Sequence, residues 1–160
     1  MTEIARSRIY LAIIAVLLIV VASMAYKFIV TGSTDRAEDG RTAIILEPSE
    51  RALVLREMRG FVAGLQLIAD ALARDDMKAV AKAAHGMGLA VAHDAPITML
   101  GKLPLEFKTL GFSVHREFDT MAADAESLGD SKHCLTQLSD ALQKCVACHG
   151  SFQIRSTPGK

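Results

Sequence analysis

Four stretches of the chain repeat an apolar residue at alternating steps of three and four, and that rhythm restricts the fold to packed helices. In residues 48–73 the stripe is Leu55, Met58, Val62, Leu65, Ala69 and Leu72; in 76–93 it is Met77, Val80, Ala84, Met87 and Val91. In residues 104–128 it runs through Phe107, Leu110, Val114, Phe118, Met121, Ala125 and Leu128, and in 131–152 through Leu135, Leu138, Leu142, Cys145, His149 and Phe152. Pro48 and Pro104 suit first-turn positions, Asp75 and Asp130 suit N-caps, and Gly101 and Gly129 fall in connections. Four stripes need mutual burial, and short links make successive helices antiparallel neighbours. The expectation is an all-α protein, an antiparallel four-helix bundle over residues 48–160. The longer link, 94–103, carries Ile97, Met99 and Leu100 and is expected to fold back over the bundle.

Ahead of the bundle, residues 9–26 contain no charged side chain, and Phe28, Ile29 and Val30 extend the run beyond Lys27. At ~1.5 Å per residue the stretch is long enough for a hydrocarbon core of ~30 Å. Residues 1–30 are therefore read as an N-terminal transmembrane anchor. Arg6 and Arg8 precede the run, which keeps the N-terminus cytoplasmic and sends the chain beyond Val30 to the periplasm. Ser23-Met24-Ala25 is a small-x-small run that a signal peptidase could cut, so retention and cleavage are both open, with the apolar continuation favouring retention. Residues 31–47 are polar, hold two glycines and read as a tether, with Ala43 to Leu46 laying the chain against the domain.

The last stripe ends in Cys145-Val146-Ala147-Cys148-His149, a C-x-x-C-H run and the attachment signature of c-type haem. Positions i, i+3 and i+4 of a helix share a face, so two sulfurs and one imidazole can address a single planar ligand. On this reading Cys145 and Cys148 carry haem c covalently and His149 is the proximal iron ligand, with the group inserted between helices. A zinc site using His133 and Cys134 with Cys145 and Cys148 is the competing reading. Covalent haem attachment happens outside the cytoplasm, which agrees with the export signal. Of the three cysteines, Cys134 then has no partner and is expected as a buried, inert thiol.

Together, the helical order and the motif make residues 48–154 resemble the class II c-type cytochromes, the cytochrome c′ group and its low-spin relatives. The resemblance matches the attachment cysteines to Cys145 and Cys148, the proximal histidine to His149, and the aromatic three positions later to Phe152. A basic residue often comes next in that family, whereas Gln153 stands here. On the distal side the family's Arg-x-x-x-(Leu or Met) pattern falls on Arg51 and Leu55, with Met58 one step along the same stripe. Met58 on the iron would give a six-coordinate electron-transfer centre of raised potential. Leu55 over it would leave an open site for a small diatomic gas such as nitric oxide. Bundles of this group are often homodimers, which leaves the oligomeric state open.

His85, His93 and His115 lie off the stripes and are expected at boundaries or on the surface. Arg56, Glu57, Arg59, Arg116, Glu117 and Asp119 are expected on solvated faces. With 18 basic and 18 acidic residues and no basic run, nothing recommends a nucleic-acid partner. No nucleophile, acid and base constellation and no glycine-rich phosphate loop is visible, so no enzyme is expected. The functional expectation is a membrane-anchored, periplasmic monohaem cytochrome that serves redox partner proteins, with gas binding as the alternative.

Overall fold

A computed structural model of the chain describes residues 3–92 and 95–157. Helix α1 spans Glu3–Ala25 and continues through a π-helical turn, Tyr26–Thr31. The apolar span Arg6–Thr31 has 26 residues, and none of its most hydrophobic stretch is buried in the protein. At ~1.5 Å per residue that is about 39 Å, long and apolar enough to cross a membrane.

The segment expected as a tether is built into the domain instead. Strands β1 (Thr34–Arg36) and β2 (Thr42–Leu46) form an antiparallel ribbon, with Gly40 at φ +86° in the turn between them. Strand β2 also pairs in parallel with β3 (Phe152–Ser156), setting Thr42 opposite Phe152 and Leu46 opposite Ser156. The reason is the β-branched run at 42–46, whose Ala43, Ile44 and Leu46 are fully buried. Pairing partners more than a hundred residues apart leave no local signal.

The bundle consists of α2 (Pro48–Ala73), α3 (Met77–His85), α6 (Leu105–Ser127) and α7 (Ser131–Ser151), with short helices α4 (Leu89–Ala92) and α5 (Ile97–Leu100) in the link. Pro48 opens α2, where a capping box joins Glu47 and Glu50. Asp130 caps α7 as expected, accepting from the Lys132 and His133 amides at 2.9 and 3.0 Å. Asp76, not Asp75, caps α3: it accepts from Ala79 N at 3.0 Å while Asp75 turns the chain at φ +55°. Pro104 caps α6 rather than opening it. The helix expected over 76–93 breaks after His85, where Gly86 and Gly88 flank a turn before α4. The expected end of that helix, His93, lies outside the described residues.

One core gathers Ile68, Val80, Phe118, Met121, Cys134 and Leu138 along the bundle. A second, of Ile44, Leu46, Val54, Met99, Leu103 and Phe152, closes the end next to the sheet. Met99 and Leu103, with Leu100 packed against them, fold the link back over the bundle as expected, whereas Ile97, expected with them, is exposed.

Helix α3 packs on α2 and α6, and α6 packs on α7, but α7 and α2 scarcely touch. The ring is open on that side, and the stripes are rotated accordingly. On α2 the buried positions are Glu50, Val54, Gly64, Ile68 and Ala71, while Val62 is 69% exposed. On α7 they are Cys134, Leu138 and Ala141, while Leu135 and Leu142 are exposed. Lys144, on the opposite flank of α7, pairs with Glu117 of α6. The stripe of Leu135, Leu142 and Val146 therefore turns away from α6, toward the open side.

Candidate haem site

Cys145, Cys148 and His149 occupy the last two turns of α7, and three contacts fix that end of the helix. The Arg41 guanidinium, held by Asp39, donates to the carbonyls of His149 at 3.2 Å and Phe152 at 3.4 Å. Gln153 donates to the same Asp39 carboxylate at 3.1 Å. Phe152 packs edge-on against Phe107, with centroids 5.5 Å apart, and leads directly into β3. The β1–β2 loop, the sheet and α6 all hold the motif's backbone in place.

Both motif cysteines are half-buried, and all three cysteines are free thiols among the described residues. Burial pushes the Cys145 thiol up, with Glu117 adding to it, and burial together with Cys145 does the same for Cys148. Both are therefore protonated thiols at neutral pH, not thiolates. His149 is exposed, which corrects its expected place on the buried stripe: the seam of α7 runs through Cys148 instead. His149 thus faces solvent, while Cys145, near enough to the Glu117 carboxylate of α6 to feel its charge, and Cys148, packed against the end core, are partly shielded by the bundle.

On the facing helix, Met58 packs into the cluster that contains Cys148, Val54 and Phe152. Arg51 and Leu55 are half-buried on the same flank of α2 but stand outside that cluster. The structure thus brings Met58 toward the motif more closely than Leu55.

The zinc set does not come together. Cys134 is fully buried in the core, and His133 pairs with Asp124 at 3.1 Å. Eleven positions of helix, about 16 Å, separate Cys134 from Cys145, and no cluster of metal-ligating side chains occurs among the described residues. As expected, Cys134 is a core thiol, its pKa raised by burial and by Asp124 and Asp130.

A buried polar centre escaped the stripe analysis. His115, only 5% exposed, stacks near Phe61 at 5.1 Å and has its Nδ1 2.7 Å from the Met87 carbonyl and its Nε2 3.0 Å from Glu57 Oε1. A carbonyl and an ionised carboxylate only accept, so with Glu57 ionised both ring nitrogens donate and the geometry favours the imidazolium. Burial pulls its pKa down, but the hydrogen bonds to Glu57 and Met87 and the Glu57 charge outweigh that and raise it above the ordinary 6.5. Other charges expected to be solvated are also engaged: Glu117 with Lys144, and Asp119 with the Leu89 amide at 2.9 Å. Each lies beside its helix's stripe, where spacing alone does not tell a pairing position from a wet one.

Among known proteins, no family model, no curated protein and no solved structure matches the chain.

Proposed function

We propose that this protein is a membrane-anchored, monohaem c-type cytochrome that transfers electrons on the periplasmic side, built like the class II bundles its motif resembles. The observation that carries the reading is the placement of C-x-x-C-H. Two free, half-buried thiols stand in the last turns of α7, the helix on which Leu135, Leu142 and Val146 form an exposed apolar stripe. An exposed apolar stripe of this kind suits a ligand or partner face, and a bound apolar cofactor would cover part of it.

Cys145 and Cys148 would hold haem c through their sulfurs, and His149, exposed in the same turn, would supply a ring nitrogen to its iron. The bound group supplies one-electron chemistry. Arg41 fixes the helix end that carries His149, and Phe152 with Phe107 excludes water beneath Cys148. Met58, packed against the same cluster as Cys148, is the α2 side chain that would serve as a second, thioether ligand, a choice that raises the potential of the group. Arg6 and Arg8 hold the N-terminus in the cytoplasm, so the domain after α1 lies in the periplasm.

The test is expression of the full chain with cytochrome maturation machinery, then haem staining of denaturing gels and spectra of the reduced protein with and without carbon monoxide. Covalent haem that disappears in Cys145→Ala/Cys148→Ala is expected. A low-spin spectrum indifferent to carbon monoxide, turning high-spin in Met58→Ala, is expected of Met58 ligation. A high-spin spectrum that shifts with the gas moves the reading to gas binding under Leu55, and a colourless, unmodified chain overturns it.

A further inference from the structure

We infer that the surface formed by α5 and the start of α6 is a second membrane contact, seated in the headgroup region of the leaflet from which α1 emerges. The inference rests on α1 spanning the membrane and is independent of the haem.

The span is about 9 Å longer than a hydrocarbon core of ~30 Å. Arg6 and Arg8 must stay among headgroups at the other end, so about 20 residues of apolar helix counted from Ile9 reach the core boundary near Phe28. Tyr26, 61% exposed, and Lys27 have the character of interface residues, an aromatic belt and a snorkelling cation. The domain does not hang from this point on a flexible leash. Lys108 Nζ, one turn into α6, donates to the Ile29 carbonyl at 2.9 Å. Ser33 N donates to the Lys102 carbonyl at 2.7 Å, and Gly32 lies so close to the backbone of Lys102, Leu103 and Pro104 that no side chain fits there. A β-carbon on Gly101 would stand 3.5 Å from the Phe28 ring.

These contacts fix the depth of α5. Gly101 N donates to the Ile97 carbonyl at 3.1 Å, so Ile97 is one helical turn from the residue beside Phe28. Ile97 is 86% exposed, more than any other large apolar side chain among the described residues, and Leu105, on the Lys108 face of α6, is 43% exposed. A solitary surface isoleucine is ordinary. One held rigidly a turn away from the point where an apolar helix leaves the bilayer meets lipid, and Lys27 and Lys108, whose ammonium groups bond carbonyls at that end of α1, add positive charge suited to anionic headgroups.

Photo-crosslinking in the full chain tests this, with p-benzoylphenylalanine placed singly at position 97, at 16 within α1, or at 128 at the far end of α6. The chains are reconstituted in vesicles of phosphatidylethanolamine with phosphatidylglycerol, illuminated and weighed intact. Leu128 is 62% exposed, so both surface positions tolerate the large residue. Phospholipid-mass adducts at 16 and 97, several-fold above those at 128, are expected. Adducts at 16 without adducts at 97 overturn the contact and leave the anchor standing. Equal labelling at 97 and 128, or a protein-mass adduct at 97, also overturns it. No adduct at 16 removes the anchor and the contact together, whatever the haem content.

Discussion

Replacing Glu57 with glutamine preserves the shape of the side chain and removes the charge that His115 faces. The pair joins α2 to α6, and through the Met87 carbonyl it also holds the turn after α3. A hydrogen bond to a charged group contributes about 1.5–3 kcal/mol. The Glu57 side chain is 31% exposed, so solvent screening places the loss at the low end, about 1.5–2 kcal/mol. For a bundle of this size that lowers Tm by about 5–8 °C. The pH dependence carries the diagnosis. The folded pKa of His115 lies above its unfolded value, so the stabilisation is complete below about pH 6.5 and fades as pH rises through the folded pKa. Thermal melts of wild type and Glu57→Gln in detergent, monitored by circular dichroism between pH 5.5 and 9, should therefore show the gap widest in acid and narrowing in base. A gap that stays constant or widens with pH would refute the imidazolium assignment.

Local geometry sets two further outcomes. Glu50 is buried against Lys102 Nζ at 2.9 and 2.7 Å; burial alone would raise its carboxyl, but the Lys102 ammonium and the Glu47 amide hold it below its ordinary value. Glu50→Ala should cost about 3 kcal/mol at neutral pH, measured by urea unfolding. The wild-type advantage is present above the unfolded pKa of about 4.3 and should vanish as pH falls through the lower folded pKa. Gly32→Ala places a side chain at φ +63° against the Lys102 carbonyl. It should loosen the junction by more than about 1 kcal/mol, read as faster proteolysis at residues 31–33 with the bundle's circular dichroism unchanged; unchanged proteolysis would contradict the close contact.

The helices were legible because burial imposes a local period, and Pro48, Asp130 and Gly129 punctuate it. What the period could not reveal was rotation. A stripe that includes Leu55, Val62, Leu142 and His149 reads as core, yet the open ring between α2 and α7 leaves Val62, Leu142 and His149 exposed and Leu55 half-buried, and moves burial to Val54, Leu138 and Ala141. The sheet escaped for a different reason. Thr42-Ala-Ile-Ile-Leu and Phe152-Gln-Ile-Arg-Ser both carry strand character, but their pairing is settled only once the bundle brings the chain's two ends side by side. His115 escaped because its two acceptors come from a carbonyl and from another helix, and neither is encoded near it in the chain. The motif cysteines, by contrast, were defined by identity and spacing alone.

The end of the bundle that carries Cys148 is the end bolted to α1: Cys148 shares a cluster with Leu100 and Leu103, and Gly101 between them abuts Phe28. With α1 in a membrane, as proposed, anything fastened to that cysteine would be kept skimming the bilayer and could not swing far into the surrounding fluid. Its encounters would then become a two-dimensional search, in which neighbours embedded in the same sheet of lipid would meet it at raised effective concentration, while a freely dissolved visitor would have to approach from the side.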